Sequence, residues 1–359
     1  MNKLKFGLVG CGRIVKKHAE TLTGALKEKA QLAGVCDIKP GRAKAAGEKY
    51  RVPYFTGYDD MLKSIDVDVV TVLTESGNHA RHTIDIVNKY RKHMVVEKPM
   101  ALLLDDADHM IRACDEAGVK LFVVKQNRYN LPVIKLRQAL DAGRFGKLVM
   151  GSVRVRWCRT QEYYDQDAWR GTWAMDGGVF ANQASHHIDL LKWMLGNPVS
   201  VFAKSAAQLV NIETEDTGVA IITFENGAIG LVEATTATRP KDLEGSLSVL
   251  GEKGTVEIGG FAVNEMKIWN FQEQLPEDAD VLKTYRQNPP DVYGFGHVKY
   301  LENVIDTINK KELALVDGLE GRKSLELISA IYESIETGKE VHLRFRPSRC
   351  RLGLESVGQ

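Results

Sequence analysis

The first 125 residues alternate between short unbroken apolar runs and stretches with helical spacing. KFGLVG (5–10), LAGVCD (32–37), DVDVVTVLT (66–74), HMVVEKP (93–99) and KLFVVKQN (120–127) are the apolar runs. They are continuous rather than alternating, the pattern of strands covered on both faces. Between them lie helical segments at 13–29, 39–50, 79–90 and 104–118, the last with an acidic start and a glycine stop. Strands alternating with helices predict a parallel sheet with helices on both sides.

Past residue 128 the periodicity changes. LPVIKLRQALDAG (131–143) reads as a helix, Gly146 as a turn, and KLVMGSVRVRW (147–157) alternates like a half-exposed strand. HHIDLLKWMLG (186–196) is helical and stops at Gly196, before Pro198. Segments 199–210, 216–238, 245–259 and 266–271 carry strand patterns. Asn226-Gly227 joins two strands as a hairpin, and Lys253-Gly254 marks a further turn. Residues 320–337 form a final amphipathic helix. The expected organisation is an α/β domain over 1–127, then an α+β domain over 128–345 with a large, mostly antiparallel open sheet. The tail, 346–359, has weak periodicity and is expected to be disordered.

Composition narrows the function. Forty-eight basic against 47 acidic side chains give a net charge of +1 over 359 residues, which argues against a nucleic-acid partner. No apolar run approaches the ~18 residues of a membrane span, and the N-terminus meets glycines too early for a signal peptide. The five cysteines (Cys11, Cys36, Cys114, Cys158, Cys350) are odd in number and lack CxxC spacing. They fit reduced thiols in a cytoplasm rather than disulfides or a zinc site.

Three clusters carry chemistry. Gly10-Cys11-Gly12 follows the first strand and opens a helix: the first glycine permits the turn and the second lets a pyrophosphate approach the helix N-terminus. Val15 occupies the third position of that pattern, where glycine or alanine is usual. Asp37, at the end of the second strand, is placed to accept from an adenosine ribose and to repel a 2′-phosphate, so a Rossmann fold that takes NAD rather than NADP is expected. Glu97-Lys98-Pro99 ends a strand on the ligand side, where a lysine can orient a substrate oxygen or move its proton. Gly177-Gly178 precede Asn182, Gln183, His186, His187 and Asp189, and helical spacing predicts one face for Asn182, His186 and Asp189. His186 could act as a general base. Arg154, Arg156, Arg159 and Arg170, with Arg128 and Tyr129, suggest a diphosphate or carboxylate pocket, against the alternative of solvated or interface arginines. Tyr163, Tyr164 and Trp169 could stack a ring or simply pack. No carboxylate or histidine spacing suggests a metal.

GLVGCGRIVKKHA, VVTVLTESGNHA, VVEKPMAL and GGVFANQASHHIDLLKWMLG together resemble the Gfo/Idh/MocA family of NAD(P)-dependent sugar oxidoreductases. The resemblance runs to about residue 343. KQNRYNLPV, WRGTWAMDGGVFANQASHHIDLL and VDGLEGRKSLELISAIYES resemble a narrower subgroup that oxidises the 3-hydroxyl of UDP-N-acetylglucosaminuronic acid for bacterial surface polysaccharide. The resemblance implies that Gly10, Gly12, Arg13, Ile14, Asp37, Thr74, Asn78, His79, Glu97, Lys98, Gln126, Asn127, Trp169 and Arg170 contact NAD. Lys98 and His186 are the implied catalytic pair, with proton transfer assigned to His186 and the two roles exchangeable. The substrate pocket is expected to include Lys98, Arg128, Tyr129, Arg156, Tyr163, Asn182, Gln183 and His186. Asn182 stands where many members have aspartate, which weakens an Asp–Lys–His relay. Paired open sheets in relatives imply a homodimer or homotetramer, and some members recycle the cofactor with 2-oxoglutarate. Competing expectations are an inositol or free-sugar dehydrogenase, a keto-sugar-nucleotide reductase, and a non-enzymatic sensor.

Overall fold

The computed structural model describes residues 3–286 and 294–343. The expected tail and Cys350 lie outside the described residues. Cys11, Cys36, Cys114 and Cys158 are free thiols. No helix among the described residues is long and apolar enough to cross a membrane.

The chain runs β1 (Leu4–Val9), α1 (Val15–Glu20), β2 (Ala30–Cys36), α2 (Pro40–Tyr50), β3 (Tyr54–Phe55), α3 (Tyr58–Ser64), β4 (Val69–Val72), α4 (His79–Tyr90), β5 (His93–Val96), α5 (Leu104–Ala117) and β6 (Leu121–Val123). All six strands are parallel, in the order β3-β2-β1-β4-β5-β6. β4 is wholly buried, as its unbroken apolar run requires. The strand order reverses between β1 and β4, so a crevice opens beyond their carboxyl ends.

α6 (Leu131–Asp141) leads into β7 (Leu148–Arg156), α7 (Gln161–Asp165) and α8 (Ser185–Leu195). Then come β8 (Pro198–Ala206), β9 (Thr217–Phe224), β10 (Ile229–Thr235), β11 (Glu244–Gly251), β12 (Gly254–Gly259) and β13 (Glu265–Phe271). α9 (Val281–Thr284), α10 (Gly296–Ile308), α11 (Gly318–Thr337) and β14 (Val341–His342) complete the described chain. The second sheet has the order β13-β12-β11-β7-β10-β9-β8-β14. It is antiparallel except where β10 runs parallel to β7. Its inner face packs with α8 and α11 into one apolar core that includes Val153, Ile188, Leu191, Ile222 and Ile331. The Asn226-Gly227 hairpin forms as its residues demand: Gly227 takes φ 82°, and Asn226 Oδ1 accepts from Ala228 N–H at 3.0 Å.

Three local expectations differ. The helix expected over 13–29 is α-helical only to Glu20 and continues as a π-turn over Thr21–Ala25, where the Thr23 hydroxyl donates to the Ala19 carbonyl at 2.8 Å. The strand expected over 120–127 ends at Val123, and Gln126–Tyr129 form a 3₁₀ turn. α10 is a further helix, outside the elements expected from the hydrophobic pattern. It buries Tyr300, Leu301, Val304 and Ile305 with Phe6 and Val35, so the first sheet is completed by chain from the C-terminal half.

Candidate active site

A cavity of about 1000 Å³ runs from the ends of β1 and β2 to α8. At its floor the chain leaves β1 through Gly10, at φ +103°, where a Cβ would lie 2.6 Å from the Leu73 carbonyl oxygen. A Cβ on Gly12 would meet nothing within 4 Å. One glycine is therefore required by the backbone, and the other keeps the approach to the turn open. Asp37 ties the turn to β2: Oδ2 accepts from Cys11 N–H and Oδ1 from Lys39 N–H, both at 2.8 Å. Its carboxylate lines the cavity and keeps lone pairs for a further donor. These features fit a dinucleotide.

The loop after β4 closes one side. His79 sets its ring nitrogens against the carbonyl oxygens of Pro99 (2.7 Å) and Thr74 (3.0 Å), which pins this loop to the one after β5. Burial holds its pKa below the ordinary imidazole value. Glu97 Oε1 lies 2.9 Å from His18 Nε2, and Oε2 accepts from Lys98 N–H at 3.1 Å. Burial pushes the Glu97 carboxyl up, but His18, His297 and Lys98 outweigh it and hold the pKa at about 2. Ligand atoms of His18, Glu97 and His297 lie within 4.8 Å of one another, a geometry that could take a metal ion. Here the Glu97–His18 contact is already an ion-pair distance. Sequence separation hid this group.

Lys98 reaches across the cavity to the loop before α8. Its Nζ donates to the Asn182 carbonyl at 2.7 Å and to Asn182 Oδ1 at 3.2 Å, leaving a third donor. Burial drives the Lys98 pKa down; Glu97 and Asp176 pull it back, and Arg170 lowers it further. His186, at the first turn of α8, lies 3.1 Å from Gln126 Nε2. Its pKa is far below the ordinary value, chiefly from burial and then from Lys98 and Lys125. Gln126 Oε1, Gln183 Oε1 and His186 Nδ1 are buried without a hydrogen-bond partner among the described residues. All three side chains line the cavity, so they present unmet polar atoms to a ligand.

The structure gathers Gly10, Gly12, Arg13, Ile14, Asp37, Thr74, Asn78, His79, Glu97, Lys98, Gln126, Tyr163, Trp169, Arg170, Asn182, Gln183 and His186 around this one cavity. Arg170 Nη1 donates to Tyr163 Oη at 2.8 Å, and the guanidinium groups of Arg13, Arg159 and Arg170 lie 5.3, 5.5 and 4.7 Å from the Tyr163 ring. Several expected residues do not line the cavity. Arg128 is buried in an ion pair with Asp189 and Glu320. Tyr129 bonds Asn303, and Asn127 is buried beside them on the 3₁₀ turn. Arg156 lies on the outer face of the second sheet, paired to Glu233 and Glu244, with Arg154 beside it on Glu244 and Glu257. Tyr164 is packed, its hydroxyl against Thr236. Nor do Asn182, His186 and Asp189 share a helix, because α8 begins at Ser185. Arg42, Arg81, His82 and Arg159 line the cavity in addition; of these only Arg159 carried a signal, its place in the arginine cluster.

Residues 4–125 match the family model "Oxidoreductase family, NAD-binding Rossmann fold", and residues 137–343 match "Oxidoreductase family, C-terminal alpha/beta domain", the two GFO_IDH_MocA models. Among solved structures, the WlbA dehydrogenase from Bordetella pertussis in complex with NADH and UDP-GlcNAcA is 42% identical, with TM-score 0.89 over 96% of this chain and 100% of that one. The Chromobacterium violaceum WlbA dehydrogenase, also with NADH and UDP-GlcNAcA, is 44% identical, with TM-score 0.90 over 97% and 98%. The myo-inositol 2-dehydrogenase of Thermotoga maritima is 26% identical over 95% of this chain and 98% of its own.

Proposed function

This chain belongs to the Gfo/Idh/MocA family of NAD-binding oxidoreductases, and from that membership we propose that it oxidises the 3-hydroxyl of UDP-N-acetylglucosaminuronic acid to the 3-keto sugar nucleotide. One observation carries the reading: the near full-length likeness to two dehydrogenases that hold NADH and UDP-GlcNAcA together. The cavity of about 1000 Å³, with Arg159 and Arg170 at its wall, suits a cofactor and an anionic sugar nucleotide side by side.

NAD, when bound, supplies the hydride acceptor. The Gly10–Gly12 turn would hold its pyrophosphate, and Asp37 would accept from the adenosine ribose. Lys98 and His186 meet the reacting hydroxyl. Their environments favour exchanging the roles expected from sequence. Burial, with Lys98 and Lys125 nearby, lowers the His186 pKa well below its ordinary value, which favours the neutral imidazole as a hydrogen-bonding group. Lys98 is brought down from the usual ammonium range towards a working base. On this reading Lys98 takes the hydroxyl proton as hydride leaves carbon, and His186, oriented by Gln126, fixes the oxygen.

The outer face of the second sheet supports assembly. Phe202, Ile221 and Leu231 stand in one cross-strand row on β8, β9 and β10, and Ile229, Met150 and Leu250 in the next on β10, β7 and β11. Such an exposed apolar face marks an interface, and we assign it to a homotetramer. A cytoplasmic place in surface-polysaccharide synthesis, and 2-oxoglutarate as hydride acceptor for cofactor turnover, belong to the same reading. The test is NADH absorbance on mixing protein, NAD⁺ and UDP-N-acetylglucosaminuronic acid, followed by 2-oxoglutarate. A rise with the sugar nucleotide supports the assignment. A rise with myo-inositol alone would replace it with the second reading, which the Thermotoga relative favours.

A further inference from the structure

Asn182 accepts two hydrogen bonds from Lys98 Nζ, at its carbonyl and at Oδ1. The amide end of the same side chain donates to Asp176 Oδ1 in a short hydrogen bond. The other oxygen of Asp176 accepts from Gly171 N–H at 2.8 Å. Asp176 is 1% exposed and lies immediately before the Gly177-Gly178 pair. A carboxylate, a carboxamide and an ammonium thus form one line from the interior to the cavity.

We infer that Asp176 is the positioning counter-ion of Lys98, acting through the carboxamide of Asn182. The inference rests on the proposed place of Lys98 at the reacting hydroxyl. A carboxamide polarised at one end by a carboxylate presents a more negative oxygen at the other. It therefore orients the ammonium and stabilises its charge. It does not accept the proton, so a proton taken by Lys98 stays there and is not handed on to Asp176. Asn182 separates the two charges, and Lys98 keeps a third N–H for a ligand.

The charged groups acting on Lys98 come from every side of it. Glu97 and Asp176 favour its protonated form, and Arg170 opposes it. His186, Lys125 and His79 feel the Lys98 charge in turn. Asp176 is itself pushed up by burial and held down by Gly171, Asn182, Lys98 and Arg170, and its charge reaches Glu215.

The decisive variant is the swap Asp176→Asn with Asn182→Asp. It preserves each hydrogen bond, with the carboxamide now at position 176 donating to the carboxylate at position 182, but it moves the negative charge against Lys98. The titration midpoint of Lys98 is read without substrate, by competitive labelling with acetic anhydride and peptide mass spectrometry. The single variant Asp176→Asn is expected to lower the midpoint by about one unit and the swap to raise it by about as much. Should Asp176→Asn not fold, Asn182→Ala takes its place, with the same fall expected. An unchanged midpoint in the folded variants overturns the inference. A fall in the single variant without a rise in the swap overturns transmission through Asn182. In turnover, the acid limb of kcat should move with the labelling midpoint, whereas a purely structural role would lower kcat at every pH alike. Because labelling needs no substrate, inactivity of the wild type towards the sugar nucleotide would count against the proposed reaction and leave this measurement standing.

Discussion

Arg128 and Asp189 form a doubly hydrogen-bonded ion pair, 2.8 Å on both arms, with each side chain 1% exposed. Arg128 belongs to the 3₁₀ turn that carries Gln126, and Asp189 to the helix that carries His186. The guanidinium also reaches Glu320 on α11 at 3.3 Å and lies 4.9 Å from the Trp193 ring. The pair therefore sets the spacing across which Gln126 holds His186.

Removing the guanidinium should strand a buried carboxylate. Arg128→Met is expected to destabilise the fold by about 3–5 kcal/mol, the cost of breaking a buried pair on one side. Arg128→Lys keeps the charge but not the fork and should fall in between. Urea denaturation measures both, and equal stability of Arg128→Met and wild type would contradict the role of the pair.

Asp37→Ala should relax the preference for NAD over NADP, because the 2′-phosphate is no longer repelled. The ratio of kcat/KM values for the two cofactors is the readout. The substitution also strips acceptors from the Cys11 and Lys39 amides. Asp37→Asn keeps acceptor oxygen without charge, so the part of the shift it reproduces is electrostatic. An unchanged ratio in both variants would remove Asp37 from cofactor selection.

Lys98→Met keeps most of the side-chain volume and deletes the ammonium. We expect kcat to fall by about 10²–10⁴, while NAD affinity measured by calorimetry is nearly unchanged, since the glycine turn and Asp37 lie at the far end of the cavity. Full turnover in this variant would discard the proposed base.

What could be read ahead of the structure divides by how local the cause is. The glycine turn and Asp37 were legible because a strand, a turn and the next strand end lie within the first 37 residues. Lys98 was legible because the ends of parallel strands face the crevice. Arg128 and Arg156 lie away from the cavity because their partners are remote in sequence: Asp189 and Glu320 lie far along the chain from Arg128, and Glu233 and Glu244 meet Arg156 only through strand pairing. α10 has apolar spacing at 300, 301, 304 and 305, but it opens on Gly296 without a capping side chain, so it lacked a start signal. Asp176 had one available sign, its position beside the double glycine.

Acid should destabilise the folded chain over a defined window. His187 is buried against Trp157, and burial takes its pKa to about 4. An unfolded chain binds its proton near the ordinary 6.5, the folded chain only near 4. Stability is therefore lost as pH falls through 6.5, levelling off below 4 after a loss of about 3 kcal/mol from this group. His79 and His186 are shifted in the same direction. Glu97 adds a second loss between its ordinary value of 4.5 and about 2. The thermal midpoint should drop between pH 7 and pH 5, less steeply in His187→Leu. A midpoint independent of pH across that interval would show that these rings are not held neutral.

The outer face of the second sheet carries a regular apolar row. Ile221 lies opposite Phe202 on one side and Leu231 on the other, and it is more than half exposed. Alternation along β9 leaves Val219 and Ile221 outward while Ala220 and Ile222 fill the core, so the outward row is as regular as the inward one. Among the described residues, Val219 and Ile221 belong to none of the buried apolar clusters. Beside the row, Arg154 and Arg156 are already paired with glutamates of the same sheet, so covering them with a second copy would leave no unpaired charge. Ile221→Lys should therefore leave the fold intact, as an outward substitution away from the core, and dissociate the assembly. A lysine on each copy would bring like charges together where apolar surface had been buried. Sedimentation velocity at micromolar concentration, with circular dichroism as the folding control, reads both. A wild type that sediments as a monomer, or an Ile221→Lys protein with the wild-type assembly, would show that this face is not where copies of the chain meet.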